Sequence, residues 1–393
     1  MTDLPSLARA RWLKAPPLQR VMAAIAAAGG EARVAGGAVR NALLKEPVTE
    51  VDLATTLSPE QVTEACAAGG MSVHPTGIEH GTVTVVADHH PFEVTTLRHD
   101  VETDGRRARV KFTDDWQADA LRRDFTINAL YSDAQGKIYD YTNGYDDILR
   151  RRIIFVGSPA QRIEEDYLRI LRFFRFHARY GKGTPDQAGL AACVERRSGL
   201  DGLSAERIRQ EMFKLLAAPG AVPTLQLMAE HGILSHCLGH TREWRVISRL
   251  PPDPLLRLAV LAEDPTAMKE RWRLSNHEVK RLEAIVSLPP PSPALRPAEQ
   301  RVILYQIGAE AWRDLVHIAW ARSEASPDDG AWQDLLGLPE RWEIPKLPVS
   351  GRDLLAAGLQ PGPGIGETLR RLEDWWVASG FSAGREELLK RVN

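Results

Sequence analysis

The sequence is poor in cysteine and has no long apolar run. Its three cysteines, Cys66, Cys193 and Cys237, lie far apart in a chain of 393 residues. An odd number of widely spaced cysteines excludes a disulfide framework and is typical of a reducing compartment. The N-terminal residues contain no apolar core of signal-peptide length, and no run approaches about 18 apolar residues. We therefore expect a cytoplasmic protein without membrane contact.

The chain also lacks an excess of charge of either sign. Fifty Lys and Arg residues stand against 52 Asp and Glu residues, which gives a net charge of −2 at pH 7. Any basic surface that binds nucleic acid must therefore be local. The C-terminal half has no His-Asp doublet accompanied by further histidines, so no attached metal-dependent phosphohydrolase is expected. At about 150 residues per domain, the length predicts two or three domains.

The two parts of the chain have different periodicities. In the first ~130 residues, a helical pattern at 18–28 precedes a strand pattern at 51–53, and β-branched runs at 82–87 and 92–97 predict a hairpin. From Ile148 onward the strand patterns disappear and helical spacing of large apolar residues takes over. These patterns predict an α/β or α+β head with a modest sheet, followed by an all-α remainder.

Two glycines mark a possible phosphate site. Gly36 and Gly37 stand where a strand turns into a helix, and Arg40 follows within the first helical turn. Glycines at such a turn let backbone N–H groups approach a phosphate, and an arginine adds positive charge. An ordinary strand-to-helix turn would have the same residues, so this motif is weak by itself.

Three carboxylates fall in predicted strands of the head. Glu50 and Asp52 would point the same way if both lie in one strand, because side chains alternate there. Two carboxylates on one sheet face favour a bound cation, and oxygen-seeking Mg²⁺ is the usual one beside phosphates. If the strand at 92–96 is a neighbour, Glu93 joins them and three acids can surround two metal ions. The alternative is a solvated strand face.

Five motifs occur in a characteristic order. They are Gly-Gly-Ala-Val-Arg at 36–40, Glu-Val-Asp-Leu-Ala-Thr at 50–55, Phe-Glu-Val-Thr-Thr at 92–96, Arg-Arg-Asp-Phe-Thr-Ile-Asn-Ala-Leu at 122–130 and Glu-Asp-Tyr-Leu-Arg-Ile-Leu-Arg-Phe-Phe-Arg-Phe at 165–176. The series resembles the class II tRNA nucleotidyltransferases, which are the CCA-adding enzymes and the related bacterial poly(A) polymerases. The resemblance is specific from Gly36 to about Leu216 and looser toward the C-terminus.

The resemblance implies a domain organisation and a reaction. It implies an α+β nucleotidyltransferase head with a small mixed β-sheet (1–147), a helical neck with a nucleotide-recognition motif (148–220), and an all-α body and tail that bind tRNA (221–393). The tRNA 3′-terminal hydroxyl would attack the α-phosphorus of CTP or ATP and release pyrophosphate, with Mg²⁺ in a two-metal site. The tRNA partner would be held by its acceptor arm. A poly(A) polymerase and an enzyme adding only C or only A remain alternatives, and the oligomeric state stays open.

The resemblance also implies roles for single residues of the head. Gly37 and Arg40 would contact the triphosphate, with Gly36 beside them in the nucleotide site. Glu50 and Asp52 would be the catalytic metal ligands, and Glu93 a supporting catalytic carboxylate. The polar segment 99–111 reads as a mobile loop, to which the family ascribes the switch from C to A addition; the alternative is an exposed hairpin tip.

The motif at 122–130 is implied to bind the nucleotide. Arg123 resembles the family's nucleotide-binding arginine. Asp124 resembles the residue that contacts the ribose 2′-hydroxyl, and a carboxylate that accepts from this group favours ribonucleotides. Without the family context, 122–124 would be interpreted as a surface ion-pair cluster.

Base selection without a template is implied for a helix that the spacing predicts at 164–180. Asp166 and Arg169 would share one helix face, with Arg172 and Arg175 as further nucleotide contacts. Cytosine and adenine both present an amino donor next to a ring-nitrogen acceptor, which suits an acidic and a basic side chain. Uracil and guanine would place a carbonyl against Asp166 and leave buried polar groups unpaired. A plain helix ion pair between Glu165 and Arg169 is the alternative.

Local charge around this helix favours an RNA surface. Residues 148–182 contain nine Lys and Arg residues against three acidic ones, a net charge of +6. Positive charge concentrated in this way would neutralise RNA phosphates.

The sequence departs from the family at Glu50, where the family has aspartate. Glutamate keeps the charge, but its extra methylene moves the carboxylate further from the strand, and Mg²⁺ tolerates little departure from octahedral geometry. A displacement of about 1 Å can lower a rate on the order of 10²-fold. We therefore expect an active but slowed enzyme, with an RNA-binding pseudoenzyme as the alternative.

Overall fold

The computed structural model of the chain describes residues 4–104 and 107–392. It contains two compact units, unit 1 (Met1–His240) and unit 2 (Thr241–Asn393). The predicted boundary between head and neck at 147/148 lies inside unit 1, and residues 221–240, which were assigned to the body, belong to unit 1 as well. Within the described ranges, no helix is long and apolar enough to cross a membrane.

Unit 1 is built on a seven-stranded mixed sheet in the order β3-β4-β5-β2-β1-β8-β9, with a separate two-stranded sheet of β6 and β7. The strands are β1 (Ala32–Ala35), β2 (Asp52–Thr55), β3 (Ser72–Gly77), β4 (Thr82–Ala87), β5 (His90–Thr96), β6 (Arg98–Asp104), β7 (Arg107–Phe112), β8 (Leu130–Ser132) and β9 (Ile138–Asp140). Strands β2 and β5 pair in parallel, and the other neighbouring pairs are antiparallel. The predicted small mixed sheet is therefore confirmed.

Unit 1 contains helices in addition to this sheet, and the secondary-structure elements described in unit 2 are all helices. In unit 1 they are α1 (Pro16–Ala27), α2 (Gly37–Leu44), α3 (Pro59–Ala68), α4 (Trp116–Leu121), α5 (Gly144–Leu149), α6 (Pro159–Glu165), α7 (Leu168–Tyr180), α8 (Gln187–Glu195), α9 (Ala205–Leu216), α10 (Ala221–Glu230) and α11 (Ser235–Leu238). In unit 2 they are α12 (Trp244–Ile247), α13 (Pro254–Leu261), α14 (Met268–Arg271), α15 (Asn276–Ser287), α16 (Pro297–Arg322), α17 (Gly330–Leu336), α18 (Leu338–Arg341), α19 (Gly351–Ala356), α20 (Pro363–Ala378) and α21 (Arg385–Leu389). Short 3₁₀ helices occur at Ile78–His80, Thr126–Asn128 and Arg197–Gly202.

The hairpin of β4 and β5 is tighter than the sequence predicts. The sequence pattern assigns residues 88–91 to the turn, but His90 and Pro91 already pair with Ala87 and Val86. The two remaining residues, Asp88 and His89, have positive φ angles of 49° and 66°. Two consecutive residues in this region give the two-residue turn whose twist matches antiparallel strands.

The segment that the sequence predicts as a mobile loop, 99–111, has a different structure. It is part of two antiparallel strands, β6 and β7, which pair from Arg98 with Phe112 to Asp104 with Arg107. Residues 105 and 106 lie outside the described residues. The alternative of a hairpin is therefore the one that the described strands support.

A cluster of phenylalanines joins α7 to the head. Phe125 belongs to the head, Phe155 lies between α5 and α6, and Phe173 and Phe176 come from α7; all four are buried. The ring centroids of Phe155 and Phe173 lie 5.4 Å apart, and those of Phe125 and Phe176 lie 5.3 Å apart. Because buried aromatic contacts of this kind dominate core energetics, α7 shares a core with the head residue Phe125.

Candidate active site

Two of the three predicted carboxylates, Asp52 and Glu93, lie side by side where β2 begins. The parallel register aligns Leu53 with Val94. Continuing this register by one residue places Asp52 beside Glu93. Both side chains then point to the same sheet face, because residues that pair across neighbouring strands share a face. The predicted neighbourhood of the strands at 51–53 and 92–96 is confirmed.

Glu50 lies outside β2, so the interpretation that Glu50 and Asp52 lie in one strand and point the same way is wrong about the strand. Strand β2 begins at Asp52, and Glu50 is an exposed residue of the preceding irregular segment. The side chain of Glu50 is nevertheless close enough to contribute to the electrostatic environment of Asp52. Its role as a metal ligand stays a prediction.

The electrostatic environment of these carboxylates suits a divalent cation. Partial burial raises the pKa of Asp52, the charges of Glu93 and Glu50 raise it further, and Arg123 opposes them. Within the described residues, none of the three carboxylates forms an ion pair or a side-chain hydrogen bond, and no three His, Cys, Asp or Glu side chains are arranged to hold a metal ion by themselves. Mg²⁺ commonly binds one or two carboxylates together with substrate phosphates, so the donor set fits such an ion.

A cavity of about 600 Å³ opens beside Asp52 and Glu93, and we call it the nucleotide cavity. It brings together most of the predicted site residues, namely Gly36, Gly37, Arg40, Asp52, Glu93, Arg123, Asp124, Asp166, Arg169 and Arg172. Two predicted site residues, Glu50 and Arg175, do not line it. Seven arginines do, namely Arg40, Arg98, Arg122, Arg123, Arg169, Arg172 and Arg207. A cavity this rich in arginine suits a polyanion such as a triphosphate.

Glycine is required at the turn between β1 and α2. Gly36 has a φ angle of +62°, and a Cβ atom there would lie 3.1 Å from the carbonyl oxygen of Asn128 and 3.3 Å from Nη1 of Arg123. A side chain would therefore strain the backbone and displace the arginine. The turn thereby lets Arg123 reach the N-terminal end of α2.

Arg40 is held firmly by protein groups on the wall of the nucleotide cavity. It is only 7% exposed, and it donates to the Asn128 side chain and, over 2.8 Å, to the Tyr180 hydroxyl. Its guanidinium also lies 4.2 Å from the Tyr180 ring centroid. Burial lowers its pKa. Arg40 therefore supplies fixed positive charge beside the predicted triphosphate position.

The arginine pair at 122 and 123 depends on a carboxylate that the sequence reasoning missed. Asp119 is 1% exposed and accepts from Arg122 Nε at 2.8 Å, from Arg123 Nη2 at 3.0 Å and from the Tyr131 hydroxyl at 2.6 Å. Burial alone would raise the pKa of Asp119, but the two arginines and the hydroxyl outweigh it and lower the pKa to about 2. Asp119 precedes the two arginines by three and four residues, and this spacing was the signal that could have identified it as their partner.

Asp124 is ion-paired across the cavity. Its Oδ2 accepts from Arg172 Nε at 2.8 Å, and its Oδ1 accepts from Asn128 Nδ2 at 3.1 Å and from the backbone N–H of Phe125 at 2.8 Å. Burial would raise the pKa of Asp124, but Arg172 and these hydrogen bonds lower it to about 2. The group is therefore an ionised acceptor, as contact with a ribose hydroxyl requires.

The single helix that the sequence predicts at 164–180 is interrupted at Asp166, one of the two predicted base-reading residues. Helix α6 ends at Glu165, and Asp166 has an extended backbone with φ −160° and ψ 106°. Asp166 Oδ1 accepts from the backbone N–H of Leu168 at 3.1 Å, so the carboxylate satisfies the first backbone N–H of α7. A side chain that bonds to the backbone two residues ahead competes with the helical backbone and favours the break. Asp166 and Arg169 still line one cavity, but not as neighbours on one helix face.

Arg169 makes the ion pair that the sequence left as an alternative. Its Nη1 donates to Glu165, and the same atom lies 2.8 Å from the carbonyl oxygen of Arg162. Arg162 also pairs with Glu165 at 3.0 Å. Glu165 thus orients Arg169, which still faces the nucleotide cavity.

Helix α9 supplies two further groups that the sequence did not single out. Arg207 Nη2 donates to Asp166 Oδ2 over 2.7 Å, and the buried Glu211 accepts from Arg175 Nε and lies 3.6 Å from Arg172 Nη1. Arg175, predicted to contact the nucleotide, is therefore directed to Glu211 instead of the cavity.

The local excess of positive charge is largely neutralised by acids from other segments. Seven of the nine basic residues in 148–182 are in ion pairs, namely Arg151 and Arg179 with Glu46, Arg152 with Asp147, Arg162 and Arg169 with Glu165, Arg172 with Asp124 and Glu211, and Arg175 with Glu211. Arg150 and Lys182 have no ion-pair partner within the described residues. The net charge of +6 therefore overstates the free basic surface.

Comparison with known proteins agrees with this geometry. Residues 32–154 match the family model of the poly A polymerase head domain, residues 184–244 that of the probable RNA and SrmB-binding site of polymerase A, and residues 255–392 that of a putative tRNA nucleotidyltransferase domain 2. The chain is 36% identical over 383 residues to the mitochondrial CCA tRNA nucleotidyltransferase 1 of Mus musculus, covering 92% of this chain and 86% of that protein. It is 31% identical over 374 residues to the CCA-adding enzyme of Bacillus cytotoxicus, covering 88% and 90%.

A solved structure is similar over nearly the whole chain. The crystal structure of the Bacillus stearothermophilus CCA-adding enzyme in complex with CTP has a TM-score of 0.78 and 29% identity, with 96% of this chain and 97% of that chain covered. The predicted fold class and the resemblance are both confirmed. This chain belongs to the family of CCA-adding tRNA nucleotidyltransferases.

Proposed function

We propose that this enzyme adds C and A from CTP and ATP to the 3′ end of tRNA and releases pyrophosphate, restoring the CCA terminus. The observation that carries the proposal is the nucleotide cavity, which places Asp166 and Arg169 in the same space as Asp52 and Glu93. A base-reading pair and a catalytic carboxylate pair in one cavity are what template-independent nucleotide transfer requires.

The chain supplies two kinds of group to the transfer step. Membership of the family implies the use of a divalent metal ion, and we propose Mg²⁺, held by Asp52 with Glu93 and Glu50 nearby. In a two-metal site, one such ion would activate the 3′-hydroxyl, and the other would hold the triphosphate and stabilise the leaving pyrophosphate. Arg123, fixed by Asp119, faces the cavity and provides positive charge for the triphosphate. Preorganised charge of this kind needs no rearrangement during the reaction.

Base selection follows from the remaining hydrogen-bonding capacity of two side chains. Asp166 uses Oδ1 for the Leu168 N–H and Oδ2 for Arg207, and each oxygen keeps a second lone pair for an amino hydrogen of cytosine or adenine. Arg169 uses Nη1 for Glu165 and a carbonyl oxygen, which leaves N–H groups at Nη2 and Nε for a ring nitrogen. Uracil and guanine would face Asp166 with a carbonyl oxygen, an arrangement of two acceptors without a proton.

A second candidate is a poly(A) polymerase, because the head matches the model of that domain. It shares the same active site and differs in the product. Partial CC- or A-adding enzymes differ in the same way. The acceptor arm of tRNA remains our proposal for the part of the RNA that is bound, and the cytoplasmic location stays a prediction from the sequence.

The products formed on a shortened tRNA distinguish these candidates. Purified enzyme is incubated with tRNA lacking its CCA end and with labelled CTP, ATP, UTP or GTP, singly and together. We expect two C residues and one A, and no use of UTP or GTP. A long run of A would establish a poly(A) polymerase. No incorporation at any enzyme concentration, with Asp52→Ala as the inactive control, would favour an RNA-binding pseudoenzyme.

A further inference from the structure

A second cavity adjoins the catalytic carboxylates on the side away from the arginines. Its volume is about 780 Å³, and Asp52 and Glu93 line both cavities. The second cavity is closed by the N-terminal segment before α1, by the segment that precedes β2 and by the β4–β5 hairpin. The two carboxylates therefore form the boundary between two separate spaces.

The chemistry of the two spaces is opposite. The nucleotide cavity has seven arginines, whereas the described residues that line the second cavity include no Lys or Arg. Its walls are instead mainly apolar and include the half-buried Trp12 and Pro17, the exposed Pro16 and the buried Phe92. Such a space cannot neutralise a triphosphate, but it can take the flat faces of a nucleobase and a ribose.

We propose that the second cavity binds the 3′-terminal nucleoside of the RNA that is to be extended, with Trp12 stacking on its base. This inference rests on the proposed function. Transfer of a nucleotidyl group from a nucleoside triphosphate to the RNA hydroxyl needs the attacking oxygen and the leaving pyrophosphate oxygen roughly in line with the α-phosphorus between them. With the triphosphate among the arginines, the hydroxyl has to arrive at Asp52 and Glu93 from the opposite space, which is the second cavity.

Glu50 acquires a specific place in this arrangement. It lines the second cavity and not the nucleotide cavity. Its carboxylate therefore stands on the side from which the terminal hydroxyl arrives. A change in the length of this side chain should affect the use of the RNA hydroxyl and leave nucleotide binding unchanged.

The test combines a protein variant with a modified RNA. The RNA is a minihelix that ends before CCA, made with and without the base of its last nucleotide, and KM is measured for the RNA and for CTP. Base–aromatic stacking corresponds to about a tenfold change in affinity. We expect removal of the base to raise the RNA KM about tenfold with the wild-type enzyme, and Trp12→Ala to raise it about tenfold with the intact RNA. Together the two changes should give little more than either alone, and the CTP KM should stay within about twofold.

Matched variants keep the outcome interpretable. Tyr145→Ala removes another half-buried aromatic ring that lines neither cavity and should leave both KM values unchanged. If Trp12→Ala does not fold, Trp12→Phe should retain a nearly normal RNA KM, and the wild-type response to the abasic RNA still tests the stacking. An unchanged RNA KM on removal of the base, or two changes that multiply independently, would overturn the inference. A wild-type enzyme that adds no nucleotide would overturn the proposed function instead.

Discussion

Replacement of Asp119 by asparagine tests how the arginines of the nucleotide cavity are held. The substitution keeps the shape of the side chain and removes its charge, so Arg122 and Arg123 lose a buried counterion. Removal of one partner from a buried ion pair costs about 3 kcal/mol of stability. Because Arg123 also loses its orientation, we expect the KM for CTP to rise about tenfold.

The pH dependence gives a second measure of the same interaction. The pKa of Asp119 is lowered from 3.8 to about 2 in the folded protein, which corresponds to about 2 kcal/mol of stability. A lowered pKa stabilises the fold above the unfolded value, so this contribution is complete above pH 5 and decreases as the pH falls toward 2. At pH 3 it should be smaller by about 1 kcal/mol.

Urea unfolding of the wild type and of Asp119→Asn at pH 7, 5, 4 and 3 measures both effects. The difference between the two proteins should be about 3 kcal/mol at pH 7 and should shrink by about 1 kcal/mol at pH 3. Asp114→Asn removes an exposed carboxylate just before the same helix and is the control. A stability difference below about 0.5 kcal/mol, or one that does not change with pH, would refute the assignment of Asp119 as the anchor of the arginine pair.

Three further predictions concern the reaction and the RNA. Glu50→Asp should raise kcat severalfold with little change in the CTP KM, because metal placement matters most in the transition state; an unchanged kcat in a steady-state assay would contradict this. Asp166→Ala or Arg169→Ala should increase incorporation of UTP relative to CTP by at least tenfold, and a variant that still uses only C and A at a normal rate would contradict the base-reading assignment. Replacing Arg150 and Lys182 together by alanine should lower the slope of log affinity for tRNA against log salt by about 1–2 in filter binding, whereas an equal slope would locate the RNA elsewhere.

Local sequence patterns were sufficient for the elements whose causes are local. Ser58 and Pro59 predict the start of α3, and the structure has that start, with the Ser58 hydroxyl accepting from Gln61. The β-branched runs predict the β4–β5 hairpin in the same way. The order of the motifs identified the family, and with it the residues that meet in the nucleotide cavity.

Long-range pairing explains what the sequence could not show. The break at Asp166 is stabilised by Arg207, 41 positions further along the chain, and Arg172 reaches Asp124 over 48 positions. Periodicity carries no information about such partners. For the same reason a count of charges within 148–182 misses four acids from outside the segment, which pair with five of its nine basic residues; they are Glu46, Asp124, Asp147 and Glu211.

The phenylalanine cluster that joins α7 to the head has a consequence for substrate size. Because Phe125 and Phe155 are buried against Phe173 and Phe176, α7 and the segment that carries Asp124 share one closely packed core. Close packing of this kind resists a change in the distance between Asp124 and α7, so a nucleotide bound between them has a site of nearly fixed width. Cytosine and adenine differ in width, so one such site accepts both bases only if the nucleotide or the side chains around it adjust. We therefore expect the change from C to A addition to involve shifts of the ligand and of single side chains rather than a separation of α7 from the head.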